Sequence, residues 1–251
     1  MMLRRVQPEL LDSLPPDHPD ALHNRRDLRF FNAVMGNFRW FARTLREHLR
    51  PGDRLLELGA GEGDLGKRLG RDDLRVVLSA PAKTDDPEVV PPENNHPRQN
   101  GGNRIPMQNC RYTGLDLWPR PANWPEAWGW RREDLTTFPD YGQFDVILGN
   151  LILHQFEDAV LAALGRRWRE HARLLVFCEP VRRPLHLRQL PLARLAGINH
   201  VSRHDARVSI EGGFSDAELP RLLGVDQPPW RVELQTTFLG AYRMVASRDD
   251  D

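Results

Sequence analysis

Between residues 21 and 49 the apolar residues Phe31, Met35, Phe38, Phe41, Leu45 and Leu49 recur at steps of three and four. On a helix of 3.6 residues per turn that spacing gathers them into one stripe, and Pro51-Gly52 predicts where the helix ends. The period then changes. A strand is expected within Gly129 to Asp134, and Asp53 to Leu58, Tyr112 to Leu117, Phe144 to Asn150 and Arg173 to Glu179 are short runs rich in apolar residues. Such runs read as strands, the last two buried in a parallel sheet. Helical patterns at Asp64 to Leu69 and Ala159 to His171 separate them, and another helix is predicted over Asp216 to Leu223 with Ser215 as N-cap. The closing stretch WRVELQTTFLGAYRMVAS alternates on both sides of Leu239-Gly240 and predicts a hairpin. Strands alternating with helices, then a hairpin, predict an α/β fold with a mostly parallel open sheet and an antiparallel edge.

One stretch breaks the pattern. Pro81 to Met107 is rich in Pro, Asn, Asp and Gly and poor in large apolar residues. Burial there cannot offset the entropy of ordering the chain, so a solvated loop is predicted, as an insertion or a functional segment. The 251 residues suit one α/β domain with additions. Thirty-five basic side chains balance 35 acidic ones, so the bulk basic footprint of a nucleic-acid binder is absent. Two cysteines, Cys110 and Cys178, imply no disulfide framework. No stretch reads as a signal peptide or a membrane span, and the expected setting is cytoplasmic.

The chemistry starts at LLELGAGEG, residues 55 to 63, where a strand runs into three closely spaced glycines. Gly59, Gly61 and Gly63 let backbone N–H groups approach a ligand at a strand's carboxyl end, and the following helix adds partial positive charge. A glycine turn made for packing alone is the plain alternative. The pattern Glu57-x-Gly-x-Gly-x-Gly differs from the GxGxxG of dinucleotide binders. The next strand ends in Asp116, whose carboxylate can accept both hydroxyls of a ribose. Gly63 and Asp116 lie further apart than the roughly 20 residues usual in nucleotide-binding βαβ units, which an insertion at 81–107 explains. The rival strand LRVVLSA, 74–80, offers no carboxylate.

LLELGAGEG, YTGLDL, WRREDLTTFP and FDVILGNLILHQF, in that order, resemble the motifs of class I S-adenosylmethionine (SAM)-dependent methyltransferases. The resemblance runs from about Asp53 to Ser247. It implies a Rossmann-like open seven-stranded sheet with helices on both faces, over residues 51–251, and SAM as cofactor. Residues 1–50 would be a helical lid or extension. Glu57 belongs to the first motif, and Gly59, Gly61 and Gly63 would cradle the methionine and ribose parts. Asp116 would take the ribose hydroxyls and Leu117 would lie against the adenine. Asp134, beside Leu135, would approach the adenine amino group, and the Asn150 backbone would hold the methionine ammonium.

The acceptor is less legible. Gly149-Asn150-Leu151-Ile152 lacks the Asn/Asp-Pro-Pro-aromatic signature of nucleobase amine methylation. Trp40, off the apolar stripe, is the candidate lid residue. His200 and His204 are four apart and would share a helix face, with Asp205 adjacent; together with His154 they are the candidate general bases. No ligand set for a metal accompanies them. The expectation is methyl transfer to a small organic acceptor, with O-methylation favoured because histidines suit deprotonation of a hydroxyl, and no nucleic-acid or membrane partner. An RNA or protein methyltransferase, or a non-catalytic SAM-fold protein that binds a partner, are the alternatives.

Overall fold

A computed structural model of the chain describes residues 2–15, 17–71, 110–191 and 197–248. The expected loop at 81–107 and the rival strand at 74–80 lie outside them. Five parallel strands are β1 (Arg54–Leu58), β2 (Arg111–Asp116), β3 (Gly129–Arg132), β4 (Val146–Asn150) and β5 (Leu174–Pro180). A hairpin of β6 (Trp230–Thr236) and β7 (Ala241–Arg248) completes the sheet, with β7 antiparallel to β5. The spatial order is β3-β2-β1-β4-β5-β7-β6. The helices are α1 (Pro19–Met35), α2 (Asn37–His48), α3 (Asp64–Arg71), α4 (Asp158–His171), α5 (Pro184–Gln189), α6 (His200–Gly212) and α7 (Glu218–Leu223).

Successive strand residues point to opposite faces, and here both faces are covered. Leu175 and Phe177 of β5 pack with Trp168 of α4 and Leu219 of α7. Leu174, Val176 and Cys178 of the same strand pack with Phe41 and Leu45 of α2 and Leu65 and Leu69 of α3. Burial on both sides is why these strands read as unbroken apolar runs. β1 pairs with both β2 and β4. The chain leaves β1 toward one edge of the sheet and later returns through β4 to build the other. Between them lies a crevice at the strands' carboxyl ends, where open α/β sheets bind ligands.

The expected single helix over 21–49 is two. Gly36 adopts φ 67°, and its N–H caps Ala33 and Asn32 carbonyls, a left-handed stop that glycine makes without steric penalty. The two halves differ in what they bury. α2 buries Trp40, Phe41, Ala42 and Leu45, whereas the buried positions of α1 are Ala21, Asn24, Asp27 and Asn32. α7 starts later than expected, at Glu218 behind Ala217, and Ser215 makes no cap. Arg182 is buried. It donates to the Met2 and Gly213 carbonyls and to Glu218. The N-terminal segment is held the same way: Arg4 donates to the Gly212 and Phe156 carbonyls and to Asp158.

α4 meets α7 at Gly165, where an added Cβ would stand 2.4 Å from the Leu223 carbonyl oxygen. Helix propensity alone favours Gly165→Ala by about 1 kcal/mol. Overpacking against backbone costs roughly 1–3 kcal/mol and should win. Urea denaturation should therefore show Gly165→Ala less stable, by up to about 2 kcal/mol. A gain in stability would mean that α7 does not pack this closely.

Candidate active site

The crevice opens into a cavity of about 1270 Å3. A pocket for one small ligand is typically about 300–1,000 Å3, and this one is larger. At its floor lies the turn after β1. Gly59, Gly61 and Gly63 all take positive φ, 60°, 53° and 73°, but they serve different ends. A Cβ on Gly59 would meet the Ile152 side chain at 2.7 Å, and one on Gly63 the Trp124 ring at 2.5 Å. A Cβ on Gly61 would meet nothing within 4 Å, and Gly61 lines the cavity. Two glycines thus allow close packing, and the third keeps the cavity clear.

Asp116 fixes this turn. Its Oδ2 accepts the Gly61 N–H at 2.7 Å and its Oδ1 the Trp118 N–H at 2.9 Å. Burial pushes its pKa above the ordinary value, against the pull of the Trp118, Gly61 and Leu117 N–H groups. Glu57 is buried behind the turn. Burial raises its carboxyl to about 8, and the nearby charges of Asp116 and Asp64 add to that, although Tyr112 donates to it at 2.7 Å. Leu117, Asp134, Leu135 and Asn150 line the cavity together with Glu57, Gly59 and Asp116, whereas Gly63 does not. The Asp134 carboxylate caps its own turn, accepting from the Thr136 N–H and hydroxyl, both at 2.8 Å.

α1 forms the facing wall. Asn32 Oδ1 accepts from Asn150 Nδ2 at 3.0 Å and from Asn37 Nδ2 at 2.9 Å. Asn150 Oδ1 is left buried without a partner among the described residues. Toward the glycine turn, Arg25 and Arg29 pair with Glu62 at 3.6 and 3.1 Å, and the Arg25 guanidinium lies 5.0 Å from the centre of the Trp118 ring. Trp40 is not part of this wall. It is 7 % exposed, edge-on to Phe41 with Arg243 over its ring. The lid expectation fails for it because α2 turns its indole into the core.

The three histidines separate. His200 and His204 share α6 but lie on its exposed side, and neither lines the cavity. His204 Nδ1 does reach Asp205 at 3.2 Å, as its position suggested. His154 does line the cavity, and it is clamped. Nδ1 lies 2.8 Å from Glu179 and Nε2 3.2 Å from Glu9. Burial opposes the ring's charge, but the hydrogen bonds and charges of Glu179 and Glu9 outweigh it and hold the pKa at about 9. At neutral pH the ring is an imidazolium with both nitrogens engaged, so it has no lone pair to serve as a base. Glu179 also accepts the N–H groups of Ile152 and Leu153, at 3.1 and 2.9 Å. Glu9 was not foreseen. Its partners His154, Gln155 and Ser209 are 145 or more residues away in sequence, and nothing local marks it.

No protein-family model matches the chain, and no curated protein matches it in sequence. Solved structures do match in shape. The plantazolicin methyltransferase BpumL, in complex with a monoazolic desmethylPZN analog and SAH, superposes with a TM-score of 0.63 at 9% identity, covering 95% of this chain and 92% of that one. The pyocyanin biosynthetic protein PhzM gives 0.53 at 17%, over 95% and 62%. Human N-acetylserotonin methyltransferase, in complex with SAM, gives 0.50 at 15%, over 95% and 61%. The chain has the class I SAM-dependent methyltransferase fold: a Rossmann-like seven-stranded sheet, mostly parallel, closed by an antiparallel hairpin. Among the described residues no helix is long and apolar enough to cross a membrane.

The His154 clamp has a pH signature. A folded pKa of about 9 against an ordinary 6.5 gives stability that is fully present below pH 6.5 and is lost as pH rises through 9. Glu57 contributes the same sign between its ordinary 4.5 and about 8, so the comparison must isolate the histidine. Thermal melts from pH 6 to 10 should show wild type losing more stability than His154→Gln across the upper window. Parallel curves would mean that His154 is not charged in the folded protein.

Proposed function

We propose that this protein is a SAM-dependent methyltransferase acting on a small organic acceptor. The observation that carries the reading is the Gly61–Asp116 pair: a carboxylate ending β2, bonded to the one glycine whose missing side chain keeps the cavity open. The cavity fits the cofactor in other respects. Asn150 Oδ1 is a buried acceptor without a partner among the described residues, suited to an ammonium group, and Leu117, Asp134 and Leu135 lie together on the cavity wall. Bound SAM would supply a methyl carbon made electrophilic by its sulfonium.

In this reading Gly61 leaves room for the cofactor, and Asp116 takes the ribose hydroxyls. Asn150 holds the amino-acid end, and Leu117, Asp134 and Leu135 border the adenine. α1 and the N-terminal segment roof the cavity. They exclude water and hold the acceptor in line, which is most of what methyl transfer asks of a protein. The histidine argument for oxygen as the methylated atom does not hold, because His154 is charged and His200 and His204 lie off the cavity. Cys110 and Cys178, both free and buried, support the expected cytoplasmic setting.

Calorimetry should show S-adenosylhomocysteine binding. Asp116→Ala should weaken it about 10–100-fold, the loss of a charge-assisted contact worth roughly 1.5–3 kcal/mol. Gly61→Val, which puts a branched side chain at positive φ on the cavity floor, should abolish it. Unchanged affinity in both variants would remove the turn from the site.

A further inference from the structure

The cavity is electrically lopsided. Beyond the glycine turn its wall carries the carboxylates of Glu9, Asp12 and Asp205. The only cation among them is His154, already shared between Glu9 and the buried Glu179. The remaining cations on the lining are held elsewhere: Arg25 and Arg29 pair toward Glu62, and Lys67 donates to Asn123 at 2.9 Å. Asp12 is raised above its ordinary pKa, first by burial and then by the charge of Glu9, with Asp205 adding to it. Among the described residues, three carboxylates on this wall share one cation, so negative charge is in excess there.

A second observation is independent of the charges. Asn24, 2 % exposed, lines the same wall. Its Nδ2 donates to Asp205 Oδ2 at 3.1 Å, and Asp205 also accepts the N–H groups of Leu10 and Leu11. A carboxylate oxygen needs a donor there, which fixes the amide orientation. Asn24 Oδ1 is then a buried acceptor with no partner among the described residues. Orphaned acceptors of this kind are rare and point to a missing donor. The cavity lining also carries the apolar side chains of Phe31, Met35, Phe38 and Phe156.

We propose that the methyl acceptor is an amphipathic organic cation, whose N–H donors seat on Glu9, Asp12 and Asn24 and whose apolar body lies along Phe31, Met35 and Phe156. This rests on the methyltransferase reading and names the substrate class of the same site. The subsite supplies acceptors and negative charge, and it selects N–H-bearing cations over neutral or anionic molecules of equal size.

The test uses the full chain saturated with S-adenosylhomocysteine, whose own binding is measured first in the calorimeter. Failure of that step would count against the methyltransferase reading itself. The loaded protein is then titrated with a phenylalkylamine, the phenylalkyl alcohol of equal length and the matching carboxylate. The amine should bind about 10-fold or more tighter than the alcohol, with the carboxylate weakest. The margin should shrink as salt is raised. Glu9→Gln should remove most of the preference. Because Glu9 also braces His154, Asp12→Asn is the second variant, and it should reduce the preference with melting temperature kept. Equal binding of amine and alcohol, a preference for the carboxylate, or no binding of any probe to the loaded protein would overturn the proposal.

Discussion

Everything in the site depends on β1 and β4 lying side by side while their connections leave toward opposite edges of the sheet. Parallel pairing forces each connection to cross over a face. At the one place where neighbouring crossovers diverge, no crossover helix among the described residues covers the strand ends. The glycine turn after β1 and the Asn150 end of β4 therefore meet across an opening. Asp116, one strand further out, reaches back to the Gly61 N–H and turns a flexible three-glycine segment into a fixed rim.

The opening is roofed by polar rather than apolar contacts. α1 buries asparagines and an aspartate, and each has a tertiary partner: Asn24 meets Asp205, Asp27 meets Ser202, and Asn32 meets Asn37 and Asn150. Buried polar groups are destabilising unless bonded. Among the described residues, Asn24 Oδ1, Asn37 Oδ1 and Asn150 Oδ1 are left without a partner, and Asn24 and Asn150 line the cavity. The Glu9–His154–Glu179 line does the same for charge. It ties the N-terminal segment to the end of β5, and through the His154 pair it keeps two buried carboxylates compensated. The roof is thus held by polar contacts, with two unpaired acceptors, on Asn24 and Asn150, at the ligand space.

How much of this could be read from the chain follows from how local each signal is. The strands and the hairpin were legible because burial imposes a period of two or an unbroken apolar run, and the glycine turn with Asp116 was legible because both stand at strand ends. Gly36 was a local signal passed over: a glycine inside a helical stripe is a candidate stop. The histidines show a subtler limit. Their spacing did place them on one helix face. But Val201, Asp205, Val208 and Gly212, the positions α6 buries, form the competing stripe that sets which face looks inward. The polar face of α1 was invisible to a search for apolar periodicity, and Glu9 and Asn24 meet partners 145 and 181 residues away, a distance no local pattern spans.

The central claim is that the cavity carries out methyl transfer and does not merely hold a nucleoside. The most direct measurement incubates the protein with SAM bearing a deuterated methyl group and a pool of small organic amines, alcohols and acids, with mass spectrometry of the products. The account predicts a labelled methyl on one small acceptor, formed in step with S-adenosylhomocysteine and lost in Gly61→Val. Cofactor that binds tightly yet never transfers its label to any member of the pool would contradict it and leave a SAM-fold binding protein in its place.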